Sequence, residues 1–186
     1  MNWERQFELQ GENAWFWLRQ ARRLKLAANL ISKEFVNAWD ESISNPEEFS
    51  KQEQESGILS VALDSFPVYV LLAGLAIENL AKGVLVAQDP KHFKKGARLT
   101  HDLLPYVEQS GISISPKQRD LLIEIEENVL WKGRYPVPKK PEDWQLRIGY
   151  RGVRQIPGAI SCNDLQEIED IYKKLEALIV SLIKTG

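Results

Sequence analysis

Residues 67–90 read PVYVLLAGLAIENLAKGVLVAQDP, and this stretch decides the fold. Pro67 suits the first turn of a helix, where its missing N–H would have no partner in any case, and Asp89-Pro90 stops the helix that follows. Between these limits the residues are apolar on nearly every helical face, the pattern of a helix surrounded by others. The apolar run from Phe66 to Ala87 is long enough to suggest a bilayer span. Glu78, Asn79 and Lys82 lie inside it, however, and charges there are expensive in hydrocarbon. The expectation is a buried core helix with no membrane.

Working outward, Trp17, Ala21, Leu24, Ala28, Ile31, Phe35 and Ala38 recur at alternating steps of three and four, which predicts a helix from about Glu12 to Asp40. Arg19, Arg22, Arg23 and Lys33 lie mostly off that stripe and should be solvated. The polar run ESISNPEEFSKQEQES (41–56) reads as a loop or a short frayed helix. On the other side, Lys91 to Thr100 is a basic connection. Thr100 or Asp102 is then placed to cap a short helix over Leu103–Gln109, ending at Gly111. Ser115-Pro116 opens a further helix with Leu121, Leu122, Ile125, Val129 and Leu130 on one side and Gly133 at its end. Prolines and glycines between Arg134 and Ile160 exclude a long regular element there. A last helix begins at Asn163 or Asp164 and turns Leu165, Ile168, Ile171, Tyr172, Leu175, Leu178, Ile179 and Leu182 inward. No strand alternation stands out. The class is all-α: one domain over residues 1–186, a bundle of about five helices with a long loop in its C-terminal half.

Composition agrees with a globular, cytoplasmic protein: 44% hydrophobic and 27% charged residues. A single cysteine, Cys162, excludes an intrachain disulfide, and Glu4, Arg5 and Glu8 interrupt any export signal in the first ten residues. Net charge is −2. Positive charge is nevertheless concentrated in residues 91–101 and 132–154, while the rest of the chain is acidic. That distribution argues against a general nucleic-acid coat and leaves room for one anionic ligand.

Three segments carry chemistry. Glu78 and Lys82 are four apart, on one side of a helix; they form either an ordinary salt bridge or the organising charges of a polar pocket. His101-Asp102 at a helix start is either a pair of caps or, beside Lys94, Lys95 and Arg98, a corner that holds phosphate. In LWKGRYPVP (130–138), Arg134 has aromatics on either side. It can bond to Glu78 or Asp102 across the bundle, or pair with a ligand carboxylate or stack on a base. Two widely spaced histidines and one cysteine cannot form a structural zinc site, and no phosphate-binding glycine loop, nucleophile elbow or other cofactor motif is present. Carboxylate pairs such as Glu126-Glu127 read as a solvated helix face.

The segments AIENLAKGVL, LTHDLLPYVEQSG and LWKGRYPVP, in that order, resemble the HEPN (higher eukaryotes and prokaryotes nucleotide-binding) domain family over about residues 66–138. The shared features are an A-x-E-x-x-x-K-A/G stretch on a central helix, a downstream H-D-L and an R-Y-P after the next helix. The resemblance implies a helical bundle that dimerises, in toxin–antitoxin, phage-defence or RNA-processing systems. Many members are metal-independent ribonucleases with a histidine four to six residues after an arginine. Here His101 follows Arg98 by three residues and no histidine follows Arg134. The expectation is therefore a non-catalytic module without a cofactor, a homodimer or the companion of a partner protein. Lys82, His101, Lys132, Arg134 and Tyr135 would bind RNA, a nucleotide or another anion, with Glu78 and Asp102 positioning the cations. The alternatives are a divergent endoribonuclease using His101 with Arg98 or Arg134, and an antitoxin-like protein-interaction module, which exposed Trp3, Trp15, Trp39 and Trp144 would favour.

Overall fold

The computed structural model describes residues 9–93, 100–132, 147–148, 154–155, 160–161 and 164–185. The chain is predominantly helical, as its periodicity demands. In order the helices are α1 (Ala14–Ser44), α2 (Pro46–Ser56), α3 (Ile58–Asp64), α4 (Phe66–Gln88), α5 (Leu103–Gln109), α6 (Pro116–Glu127) and α7 (Leu165–Thr185). A π-helical turn, Asn128–Lys132, extends α6. Among the described residues two further helices, α2 and α3, add to the five expected, because Pro46–Ser56 and Ile58–Asp64 are both helical. Pro46 starts α2 and Gly57, at φ 63°, ends it, yet none of its residues is buried. With no apolar face to display, its sequence carried no helical period. Within the proline-rich loop, Arg147–Ile148 pairs antiparallel with Arg154–Gln155, a two-residue ladder too short to show alternation.

The central helix α4 is enclosed by α1, α7, α5 and α6. Fourteen of its 23 residues are buried, and each buried Leu, Ile or Val contributes roughly 1.5–3 kcal/mol. Residues 61–88 have the length and apolarity of a membrane span, but 72% of the most apolar window is buried inside the bundle. Directions follow from pairs of contacts. The Phe35 and Phe66 rings lie 4.8 Å apart at one end, and Trp17 meets Gly83 at the other, so α1 and α4 run antiparallel. Lys25–Glu169 and Arg22–Glu176 ion pairs, each 2.7 Å, lay α7 antiparallel to α1.

Glycines let these helices approach. A Cβ on Gly74 would come within 2.5 Å of Ile125 Cγ2 and 2.7 Å of Val129 Cγ2, and one on Gly83 within 2.5 Å of Ile179 Cδ1. Helix ends are closed locally in two places: the Asn13 side chain accepts from Trp15 N–H, and Ser115 and Gln118 form a reciprocal capping box. The N-terminus of α5 is closed differently from the expectation. Neither Thr100 nor Asp102 caps it; the carboxylate of Glu126 accepts the Leu103 N–H at 2.8 Å from across the bundle. Glu126 is therefore half-buried and Glu127 buried, which corrects their reading as a solvated face.

Lys25 is also buried, although nothing in its local sequence sets it apart. Its ammonium reaches Glu169 at 2.7 Å, bonds Asn29, and lies 5.5 Å from the centre of the Tyr172 ring. Partial burial opposes ionisation of Glu169, but Lys25 and then Lys173 outweigh it and hold its carboxyl below the ordinary value of 4.5. Burial, with the Glu176 carboxylate adding to it, pushes the Tyr172 hydroxyl up to about 12.

Two expectations follow. Gly74→Ala should destabilise the fold by about 1–3 kcal/mol in urea denaturation, because overpacking exceeds the ~1 kcal/mol gained in helix propensity; an unchanged or higher midpoint would mean that α4 and α6 separate easily. Because its folded-state value is depressed, Glu169 adds stability above its ordinary range that is lost as pH falls through the folded value. Glu169→Gln should therefore cost about 1–3 kcal/mol at neutral pH and flatten the acid side of the stability profile measured by thermal unfolding.

Candidate functional site

Helix α4 carries its two charges where they are most expensive. The side chains of Glu78 and Lys82 are only 6% and 4% exposed, and such ions persist when each is matched. Their spacing of four places them on one side of the helix, and Lys82 Nζ lies 2.6 Å from Glu78 Oε1. The ammonium then donates to the Thr100 carbonyl oxygen at 2.8 Å and sits 4.8 Å from the centre of the Tyr106 ring. An ammonium has three protons, and these partners occupy its surroundings. Lys82 thus fastens the chain at Thr100 to α4 and offers no open face to a ligand.

The second carboxylate oxygen of Glu78 faces His101 Nδ1 at 3.0 Å. An ionised carboxylate only accepts hydrogen bonds, so Nδ1 carries a proton and donates it, and Nε2 is the nitrogen directed away from Glu78. The His101 side chain as a whole is 47% exposed. Tyr106 completes the frame. Its hydroxyl oxygen accepts the Thr100 N–H at 3.3 Å and lies 3.0 Å from Thr100 Oγ1. Its ring meets Phe93 edge-on at 5.9 Å, and Phe93 in turn packs at 5.9 Å from Trp17 on α1. The imidazole therefore stands on a rigid base of one buried carboxylate, one buried ammonium and a row of rings.

Of the residues singled out from the sequence, Glu78, Lys82 and His101 come together. Asp102 is exposed beside them, and its side chain makes no cap to α5. Arg98, Arg134 and Tyr135, together with the side chain of Lys132, lie outside the described residues, as do Trp3 and Trp144. Sequence reasoning gives Thr100 only a capping role and Glu126 only a place on a solvated face, and it misses Tyr106. Tyr106, three residues beyond Leu103 on a short apolar helix, looks like ordinary core, and only its hydroxyl signals a polar neighbour. Among the described residues no three His, Cys, Asp or Glu side chains gather to hold a metal ion.

No protein-family model, curated protein or solved structure matches the chain at a significant level. What the arrangement can do follows from its chemistry. A histidine whose Nδ1–H is fixed on a carboxylate accepts a proton at Nε2, and as the imidazolium so formed it donates from Nε2 to an anion.

Replacing Glu78 by Gln removes the charge that matches a buried ammonium and should lower unfolding free energy by about 3–5 kcal/mol. His101→Ala, at a half-exposed position, should change it by less than about 1 kcal/mol. Chemical denaturation of both variants checks the order; equal losses would show that the imidazole, too, is structural.

Proposed function

We propose that this chain is a cytoplasmic HEPN-like module that binds RNA, a nucleotide or another anion without cleaving it, in a toxin–antitoxin, defence or RNA-processing setting. The observation that carries the reading is the half-exposed His101 imidazole, held at 3.0 Å by a carboxylate that is itself buried and matched by Lys82. A surface cap needs no such support; an imidazole that must meet a ligand in one orientation does. Basic residues of segments 91–101 and 132–154, including Arg98, Lys132 and Arg134, supply the positive charge for phosphate. Lys82 acts on the site through Thr100 and Glu78, as a positioning residue.

The same dyad favours one second reading, a divergent endoribonuclease. An oriented imidazole is a competent general base, and an arginine beside it would stabilise the charge that builds on phosphorus.

Fluorescence titration of labelled RNA and of nucleotides at low salt tests the binding reading. His101→Ala and Arg134→Ala should each weaken binding about tenfold, with affinity falling as salt rises. Absence of binding at low salt, or indifference to both substitutions, rejects it. Cleavage of total RNA that vanishes in His101→Ala replaces it with the enzymatic reading.

A further inference from the structure

His92 and His101 are the chain's two histidines, and only one of them has its proton assigned by the fold. The buried Glu78 carboxylate lies 2.6 Å from the buried Lys82 ammonium through Oε1, which matches its charge. Its other oxygen, Oε2, faces His101 Nδ1 at 3.0 Å. A neutral imidazole carries one proton, and this contact draws it to Nδ1. Nε2 of the neutral ring is then left with a lone pair and no hydrogen to offer. Among the described residues Glu78 is the one hydrogen-bonding or ionic partner of this imidazole. His92 differs: it packs edge-on against Phe93 at 4.8 Å, and among the described residues its ring has no carboxylate to choose a tautomer for it.

An anion brings only acceptors. Against the neutral His101 ring it sets lone pair against lone pair, whereas from the imidazolium it receives a charged N–H. We infer, on the anion-binding reading above, that this site takes up one proton at His101 Nε2 with each anion it binds, which makes binding a function of pH. By linkage, an anion that selects the imidazolium raises the proton affinity of His101 by the same factor as protonation raises the anion's affinity. Among the described residues the charged groups around the ring are few. Glu78 and Lys82 come from α4, Asp102 is the next residue of the chain, and Glu126 reaches the Leu103 N–H from α6. From α1 the approach is by the uncharged Trp17, through Phe93. Glu78 is the positioning residue of this coupling. A glutamine amide both donates and accepts, so in its place the neutral ring is free to carry its proton on Nε2 and to bind an anion without a further one.

The probes for a test are sulfate and a short oligouridylate, whose charges stay constant from mildly acidic to mildly alkaline solution. Proton–carbon correlation spectra of both histidine rings in the full chain are followed through pH with and without sulfate, at low ionic strength matched with chloride. Sulfate should raise the titration midpoint of His101 and leave that of His92 in place. Above that midpoint the dissociation constant of either probe should rise about tenfold per pH unit. His101→Gln should bind weakly and equally at all pH values. Glu78→Gln, where circular dichroism shows it folded, should keep its affinity on the alkaline side. The inference is overturned, with the anion site left standing, by affinity that is flat in pH, by pH dependence that survives in His101→Gln or disappears in His92→Gln, or by a folded Glu78→Gln variant with the wild-type profile. Affinity that rises with pH also overturns it and assigns Nε2 to a ligand hydroxyl. Failure of both probes to bind at any pH rejects the anion site and this inference together.

Discussion

A helix that is apolar all round must be covered all round, and it can carry a charge at its centre only if the covering supplies a match. Helix α4 meets both conditions. Gly74 admits Ile125 and Val129 from the α6 side, and Gly83 admits Trp17 and Ile179 from α1 and α7. In the middle, Glu78 and Lys82 neutralise each other at 2.6 Å. Two ions in such a place gain little net stability as a pair, yet each would be costly alone, so the pair constrains what else can pack there.

That constraint organises the site. The ammonium of Lys82 holds the Thr100 carbonyl, and the free oxygen of Glu78 holds the next residue, His101. The chain between α4 and α5 is thereby fixed to the core at two successive residues. Glu126 closes the start of α5 from the opposite side. An imidazole at the end of a short, seven-residue helix would otherwise have little reason to keep one orientation. Fold and candidate site therefore share their central charges, and a change at Glu78 acts on both.

The long helices were legible because burial leaves a local trace. Ile168, Ile171, Tyr172, Leu175 and Ile179 on α7, like Ala21, Ala28 and Phe35 on α1, are buried at the positions where their spacing placed them. Helix α2 left no such trace, since it buries nothing, and α3 is a short segment of seven residues. Lys25 was invisible for the opposite reason: its type predicts solvent, and only Glu169, Asn29 and the Tyr172 ring, on distant or neighbouring turns, make its burial tolerable.

By itself the sequence determined that α4 is central and that Glu78 and Lys82 share one side of it, because a spacing of four residues is enough to bring side chains together on a helix. Tertiary structure alone decided that His101, 23 residues beyond Glu78, shares its carboxylate, that Lys82 turns inward to Thr100 and Tyr106, and that Glu126 rather than Thr100 or Asp102 caps α5. Helical periodicity fixes neighbours within a turn. Which turns of different helices meet is set by how closely their surfaces pack, and no local spacing records that.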